Sequence, residues 1–252
     1  MSTTVDPQQA ELFSGMAADW WDRKGSSALL HQVNPVRLSY ICEQAGPVLG
    51  VDTSSARWLA GKDVLDVGCG GGILAECLAR LGGNVTAIDA AGGAIDIAKA
   101  HAAAQGLDID YRLQTTDVLV REGRKFDLVT CMEVVEHVLD VPAFLASLRA
   151  LLKPGGLLVF STPNRTAMSF GVMIVGAEWV LRLLPRGTHD WNRFLTPEEM
   201  HRAMALADLE VTDCQGISYA PGAGFDVSDD KRVNYIGAAV PGTPSERAST
   251  AL

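Results

Sequence analysis

Short apolar runs alternate along this chain with stretches of helical spacing. Val64-Leu65-Asp66-Val67 is a branched run of strand length, and Gly68-Cys69-Gly70-Gly71-Gly72 follows it at once. Ile73, Leu74, Cys77, Leu78 and Leu81 then recur with helical period until Gly82-Gly83 closes the helix. Val85-Thr86-Ala87-Ile88 reads as a second strand, ending on Asp89. Beyond it the pattern predicts a helix over 94–104, a strand over 109–113, a strand over 126–131 and a helix over 140–152. Lys153-Pro154-Gly155-Gly156 breaks that helix and turns into a strand over 157–161. Strands and helices alternating this regularly predict an α/β fold with a doubly wound, mostly parallel sheet. Ligands of such sheets sit beyond the carboxyl ends of the strands, where Gly68, Asp89, Met132 and Pro163 are expected to converge.

The flanks are less regular. Residues 6–23 read as a helix with Leu12, Phe13, Met16, Trp20 and Trp21 on or near one face. Such a helix lies across the ligand mouth or packs at the sheet edge. After a loop at 26–32, Asn34 caps a helix with Pro35 at its first position, and Gly46-Pro47 ends it. The connection from Thr162 to Asn192 is long and apolar. Thr196-Pro197-Glu198-Glu199 is a capping box for a helix to Leu206, late strands are expected over 209–215 and 233–240, and the small, polar end 241–252 is expected to be disordered.

Composition narrows the class. The 252 residues are 48% hydrophobic and 20% charged, which suits one sizeable core. A net charge of -9 argues against nonspecific binding to nucleic acid or to an anionic membrane. The five cysteines are scattered and odd in number, as expected of reduced residues in a cytoplasmic protein without a disulfide frame. The polar start carries no sign of a secretory signal, and no apolar run reaches the ~18 residues needed to cross a bilayer.

The glycine turn is the centre of the chemistry. Strand, glycine turn, helix, strand and acid make a nucleotide-cofactor cradle: glycines let backbone approach a ligand, and Asp89 can accept both hydroxyls of a ribose. A nicotinamide dinucleotide and S-adenosylmethionine both fit that outline, and the spacing separates them. The dinucleotide pattern begun at Gly68 requires glycine at position 73, where Ile73 stands, and the turn is instead Asp-x-Gly-x-Gly-x-Gly from Asp66. A carboxylate beside the turn repels a pyrophosphate and attracts a sulfonium and an ammonium. S-adenosylmethionine is therefore the expected cofactor, with Asp66, Gly68, Gly70 and Asp89 around it, and a nicotinamide oxidoreductase is the outside alternative. Arg37, in the first turn of its expected helix, is disfavoured by the helix dipole and hints at an anionic partner, against a plain solvated arginine. Asp117 is placed near the adenine.

Glu133, Glu136 and His137 stand at i, i+3 and i+4, one face of a helical turn. Two carboxylates and an imidazole can hold a divalent cation, with His189 as a fourth ligand, and such a metal lowers the pKa of a bound phenol. A metal-free site with His137 or Glu136 as general base remains open, as does a loop these residues merely structure.

Several segments together carry a resemblance: Trp20-Trp21-Asp22, His31-x-x-Asn34-Pro35-x-Arg37-Leu38, the block from Asp66 to Glu76, Cys131-Met132-Glu133-x-x-Glu136-His137-Val138, Lys153-Pro154-Gly155-Gly156 and Pro185-x-Gly187-Thr188-His189-Asp190. Over roughly residues 10 to 240 the chain resembles the O-methyltransferases of ubiquinone biosynthesis, within the class I methyltransferases. The match is weakest after Gly216. The resemblance implies a seven-stranded Rossmann-like sheet in a single domain, with an N-terminal cap (1–50), a cofactor core (62–161) and an apolar helical insertion (163–192). It implies methyl transfer from S-adenosylmethionine to phenolic hydroxyls of polyprenylated precursors, at two steps of the pathway. Arg37, Gly68, Asp89 and Met132 would contact the cofactor. Glu133, Glu136, His137 and His189 would form the metal group, with Glu136 and His137 acting in catalysis. Residues 165–186 would meet the inner face of the membrane, where other proteins of the pathway are candidate partners. A soluble catechol or other small phenol is the alternative substrate.

Overall fold

The computed structural model describes residues 4, 6–15, 20–25, 27–180 and 190–242, with backbone alone for 12, 13, 15 and 176–180. Eight strands form one sheet in the order β3-β2-β1-β4-β5-β8-β6-β7. In chain order they are β1 (Asp63–Val67), β2 (Asn84–Asp89), β3 (Asp110–Leu113), β4 (Phe126–Met132), β5 (Leu152–Pro163), β6 (Leu209–Ala220), β7 (Gly224–Ser228) and β8 (Asn234–Pro241). β1 to β5 pair in parallel, and β6, β7 and β8 add an antiparallel end. The expected mostly parallel, doubly wound sheet is present with one strand more than the seven expected. The additional strand, β7, has only Phe225 and Val227 as an apolar pattern and pairs back on β6.

The helices are α1 (Pro7–Gly15), α2 (Ala28–Leu49), α3 (Ile73–Arg80), α4 (Gly92–Ala104), α5 (Thr116–Arg121), α6 (Val141–Leu151), α7 (Ala167–Ser169) and α8 (Pro197–Leu206). Alternation along the strands divides the core. Val64, Val85, Ala87 and Val159 face α2, α3 and α4, while Leu65, Val67, Ile88, Leu158 and Phe160 face α5, α6 and α8. The capping box opens α8, with the Thr196 hydroxyl accepting from the Glu199 N–H at 3.3 Å and the Glu199 carboxylate accepting from the Thr196 N–H at 2.9 Å.

The expectations for the amino-terminal helices need correcting. The helix predicted to begin at Pro35 begins at Ala28 and runs on to Leu49 with Pro35 and Pro47 inside it. A proline in a helix interior costs about 3 kcal/mol, and burial of Val33, Tyr40, Ile41 and Ala45 against the sheet offsets it. Asn34 is thus no cap; its amide reaches toward the Ile73 carbonyl and the Cys77 sulfur on α3. Arg37 lies in the third turn, so its misfit with a helix N-terminus disappears. Of the helix predicted over 6–23, Pro7–Gly15 is described as helix, 16–19 lie outside the described residues, and Trp20 and Trp21 sit in a turn.

The Lys153-Pro154-Gly155-Gly156 turn is a bulge inside β5: Phe126 pairs with Leu152 and Leu128 with Leu157. In the long connection, α7 continues as a helix wound in the wider π form over Phe170–Val180. His189 and the rest of 181–189, and the tail 243–252, lie outside the described residues.

Candidate active site

The glycine turn is built as its spacing suggests. The N–H groups of Gly68 and Cys69 both donate to the Ile88 carbonyl, at 2.9 and 3.1 Å, which ties the turn to β2. Gly68, Gly70 and Gly72 take φ values of 70°, 51° and 89°, a region that disfavours side chains. Gly72 opens α3 without a side-chain cap. Asp89 grips the turn from the neighbouring strand: its carboxylate accepts the N–H of Gly70 and that of Ala91, each at 2.8 Å. Burial raises the Asp89 pKa, against those two backbone donors.

Asp66 is 2% exposed, and only one of its oxygens is satisfied, by the Thr130 hydroxyl at 2.7 Å. The other, Oδ2, has no partner. Burial, with the charge of Asp89 adding to it, pushes the Asp66 pKa up to about 7. A buried carboxylate with a free oxygen is costly unless a cation answers it. The sulfonium and ammonium of S-adenosylmethionine are such cations, so the residues present fit that cofactor.

Asp66, Gly68, Gly70, Asp89, Arg37, Met132, Glu133 and His137 all line one cavity of about 780 Å³. This is a usual size for a small-molecule site. Gln114, Thr115 and Thr116 line it beside Asp89, where Asp117 was expected. Asp117 instead sits in the first turn of α5, accepting from Thr115 and pairing with Arg121. The far wall is apolar, with Met168, Val172, Ile217, Tyr219 and Phe225 on it. That wall is the long connection together with the β6–β7 hairpin, and the hairpin lies where the resemblance was weakest.

Glu133, Glu136 and His137 do not share a helical face. Glu133 takes φ of 55°, and only Val135–His137 forms a 3-10 turn. The Glu133 carboxylate accepts from Arg37 Nη2 at 3.1 Å, Ser161 Oγ at 2.5 Å and Asn234 Nδ2 at 2.9 Å. Glu136 is 2% exposed and accepts from the Thr162 hydroxyl at 2.8 Å, leaving Oε1 without a hydrogen bond and 3.8 Å from His137 Nε2. Burial, then the charge of Glu133, holds the Glu136 carboxyl well above the usual carboxylate range. His137 borders the cavity with Glu136 behind it.

The expected metal group is therefore not assembled by the described residues. Glu133 is committed to Arg37, His189 lies outside them, and no group of three His, Cys, Asp or Glu side chains among them is set to hold a metal ion. Ser161, Thr162 and Asn234 were not visible as site residues in sequence; each arrives from β5 or β8 and carries no spacing signal. Trp20, also missed as a site residue, packs on the glycine turn.

The sequence model of a methyltransferase-domain family matches residues 49–213. The ubiquinone biosynthesis O-methyltransferase of Cereibacter sphaeroides is 47% identical over 95% of this chain and 98% of its own. The protein of that name in Brucella melitensis is 48% identical over 93% and 95%. Among solved structures, an S-adenosylmethionine-dependent methyltransferase from Clostridium acetobutylicum aligns with a TM-score of 0.62 at 17% identity, covering 81% of this chain and 90% of that one. Magnesium protoporphyrin IX methyltransferase from Synechocystis, with S-adenosylhomocysteine bound, aligns with a TM-score of 0.59 at 18% identity, covering 87% of each. At those identities the likeness is one of fold.

Proposed function

The chain belongs to the ubiquinone biosynthesis O-methyltransferases, S-adenosylmethionine-dependent enzymes, and from that footing we propose that it methylates phenolic hydroxyls of polyprenylated ubiquinone precursors at both O-methylation steps. One observation supports this reading above the others. A single cavity joins the half-satisfied Asp66 carboxylate, which suits the cofactor's cationic end, to His137 and then to an apolar wall.

Methyl transfer forms a bond from the phenol oxygen to the methyl carbon as the carbon–sulfur bond breaks, and the phenol proton must leave. His137 is the group at the cavity that takes it, as general base. The imidazolium so formed has Glu136 Oε1 3.8 Å from its Nε2, an oxygen without another hydrogen bond that can stabilise the new charge. Asp66 and Asp89 would hold the donor, and Arg37, which lines the same cavity from within its ion pair to Glu133, would answer the donor's carboxylate.

A divalent cation at Glu136, His137 and His189 would act on the phenol oxygen in the same place, as a Lewis acid. Glu133 would not join that set, because it is turned to Arg37. We further assign the insertion, 163–192, to contact with the inner face of the membrane. Met168, Phe170, Val172 and Val175 are exposed there, while no helix among the described residues is long and apolar enough to cross a bilayer. In this reading the chain is one methyltransferase domain, with 1–50 as a cap and 62–161 holding the cofactor, and other proteins of the pathway remain candidate partners.

The test is methyl transfer from S-adenosylmethionine to a short-tailed demethylubiquinol, with and without a chelator. Turnover that survives the chelator and falls about 100-fold or more in His137→Ala, with S-adenosylhomocysteine still bound, is the expected result. Turnover abolished by chelator and restored by a divalent ion would return the chemistry to a metal. No turnover with S-adenosylhomocysteine bound would mean another phenol is the substrate.

A further inference from the structure

Trp20 and Trp21 touch the cofactor turn, although nothing in the chemistry above employs them. A Cβ placed on Gly70 would lie 2.1 Å from Trp20 Cζ2, and one on Gly71 would lie 2.2 Å from Trp20 Cδ1. The indole thus lies against the backbone of both glycines, in space their missing side chains leave. Trp20 is 8% exposed, packs on Ile73, Ala91 and Ala94, and borders the same cavity as Asp66, Asp89 and Met132.

A chain of contacts holds it there. Trp21 donates its indole N–H to the Gly71 carbonyl at 2.9 Å. The Trp21 ring stacks on His101, with centroids 3.5 Å apart and planes 8° from parallel. His101 Nδ1 lies 2.5 Å from Oε1 of Glu76, whose side chain is fully buried and whose other oxygen accepts from Arg80 at 3.0 Å. From the other side, His31 Nε2 lies 3.0 Å from the Trp20 carbonyl. A buried carboxylate fixes an imidazole, the imidazole fixes a ring, and that ring pins the turn.

We propose that Trp20 is a wall of the S-adenosylmethionine cleft, closing it over Gly70 and Gly71, and that Trp21 and His101 are positioning residues that hold it in place through the buried Glu76. The inference rests on the cofactor assignment above and adds cofactor contacts to it. It also gives Gly70 and Gly71 a second reason to lack side chains, since the space beside them belongs to Trp20.

The experiment is calorimetric binding of S-adenosylhomocysteine, with steady-state kinetics, for Trp20→Ala, Trp20→Phe, Trp21→Phe, His101→Ala and His101→Gln. Trp20→Ala is expected to raise the dissociation constant and the KM for S-adenosylmethionine about tenfold or more, with kcat nearly kept, and Trp20→Phe to recover most of the loss. Trp21→Phe keeps a ring to stack but loses the N–H donor, and is expected to weaken binding about threefold to fivefold. His101→Ala should weaken binding similarly and His101→Gln, which can still donate to Glu76, should restore part of it. Tryptophan emission supplies a readout that a purely structural role would not move. Ligand should change the wild-type emission, and that change should vanish in Trp20→Phe although four tryptophans remain of the five. Unchanged binding in Trp20→Ala would overturn the proposal, as would tighter binding, which would mean that the ring occupies the ligand's place. A surviving emission change in Trp20→Phe would overturn it too. Wild-type protein that binds no S-adenosylhomocysteine would instead refute the cofactor assignment, so the two failures are distinguishable.

Discussion

The glycine turn and the Glu133–His137 corner lie on the same cavity, but they are held in opposite ways. The turn is built mainly by its neighbours in sequence: β1 runs into it, α3 out of it, and Asp89 grips it from the next strand, with Trp20 and Trp21 packed on it from outside. The corner is held from a distance. Arg37 reaches Glu133 from 96 positions away and Asn234 from 101, while Ser161 and Thr162 come from β5. A locally built part tolerates change elsewhere in the chain. A part assembled from three elements fails when any one of its members is removed.

The corner should therefore break hardest. Glu133→Ala strips a 9%-exposed Arg37 side chain of its anion and leaves the Ser161 and Asn234 groups without their acceptor. Removing one partner of a buried pair costs about 3 to 5 kcal/mol, and urea unfolding should show that loss. Relief of the positive φ at Glu133 would return little of it, since alanine is strained there as well. A loss below about 1 kcal/mol would mean that the pair is solvated and the corner loosely held.

The turn should respond to pH more than to truncation. Burial raises Asp66 from an ordinary value of 3.8 to about 7. Between those values the unfolded chain has lost this proton and the folded, ligand-free chain still keeps it, so stability falls as pH rises through that window. Below it the group contributes no difference, and above it the penalty is complete, at about 4 kcal/mol. Asp66→Asn should remove that slope, leaving a ligand-free protein more stable than wild type at pH 8 but unable to hold S-adenosylmethionine tightly. Unfolding curves for both proteins at pH 5 and pH 8 decide it, and parallel pH dependence would show that Asp66 is ionised throughout. Gly70→Ala, with its φ of 51° and its Cβ set into Trp20, should cost about 2 kcal/mol and weaken S-adenosylhomocysteine binding. A Gly70→Ala variant that unfolds and binds as wild type does would mean that the turn is not closed on Trp20.

The same contrast explains what was legible in the sequence. The strand–turn–helix–strand unit from Val64 to Asp89 was readable because its contacts lie within one supersecondary unit, and the Thr196 capping box because its two members stand only three positions apart. The helix over 28–49 was misjudged because a local rule, proline at a helix start, was overruled by packing that only the sheet supplies. The spacing of Glu133, Glu136 and His137 suggested one helical face. The backbone at Glu133 is left-handed instead, and its direction is set by Arg37, Ser161 and Asn234, which no period in the sequence connects to it. The strand β7 escaped notice because two apolar residues between glycine and serine make a weak pattern, and its pairing with β6 is a property of the pair.

The smallest effect should come from the opposite end of the sheet, and it is the control for all the others. At the amino ends of the strands, Lys153 in the β5 bulge contacts Asp63 and Asp127, each at 2.7 Å, and joins β5 to β1 and β4. The contact with Lys153 lowers the Asp63 pKa, and Asp127 and Asp63 together raise that of Lys153. Yet the lysine side chain is 32% exposed, and exposed pairs are screened by water and salt. Lys153→Met should therefore cost about 1 kcal/mol or less and should leave turnover and S-adenosylhomocysteine binding as they are. The clamp sits at the strand ends away from the ligand, and nothing connects it to the glycine turn except β1 itself. If Lys153→Met reduced cofactor affinity as much as Gly70→Ala, the turn would no longer count as locally held. Its geometry would then depend on the register of the whole sheet, and the contrast between a local turn and a distributed corner would fail at the turn.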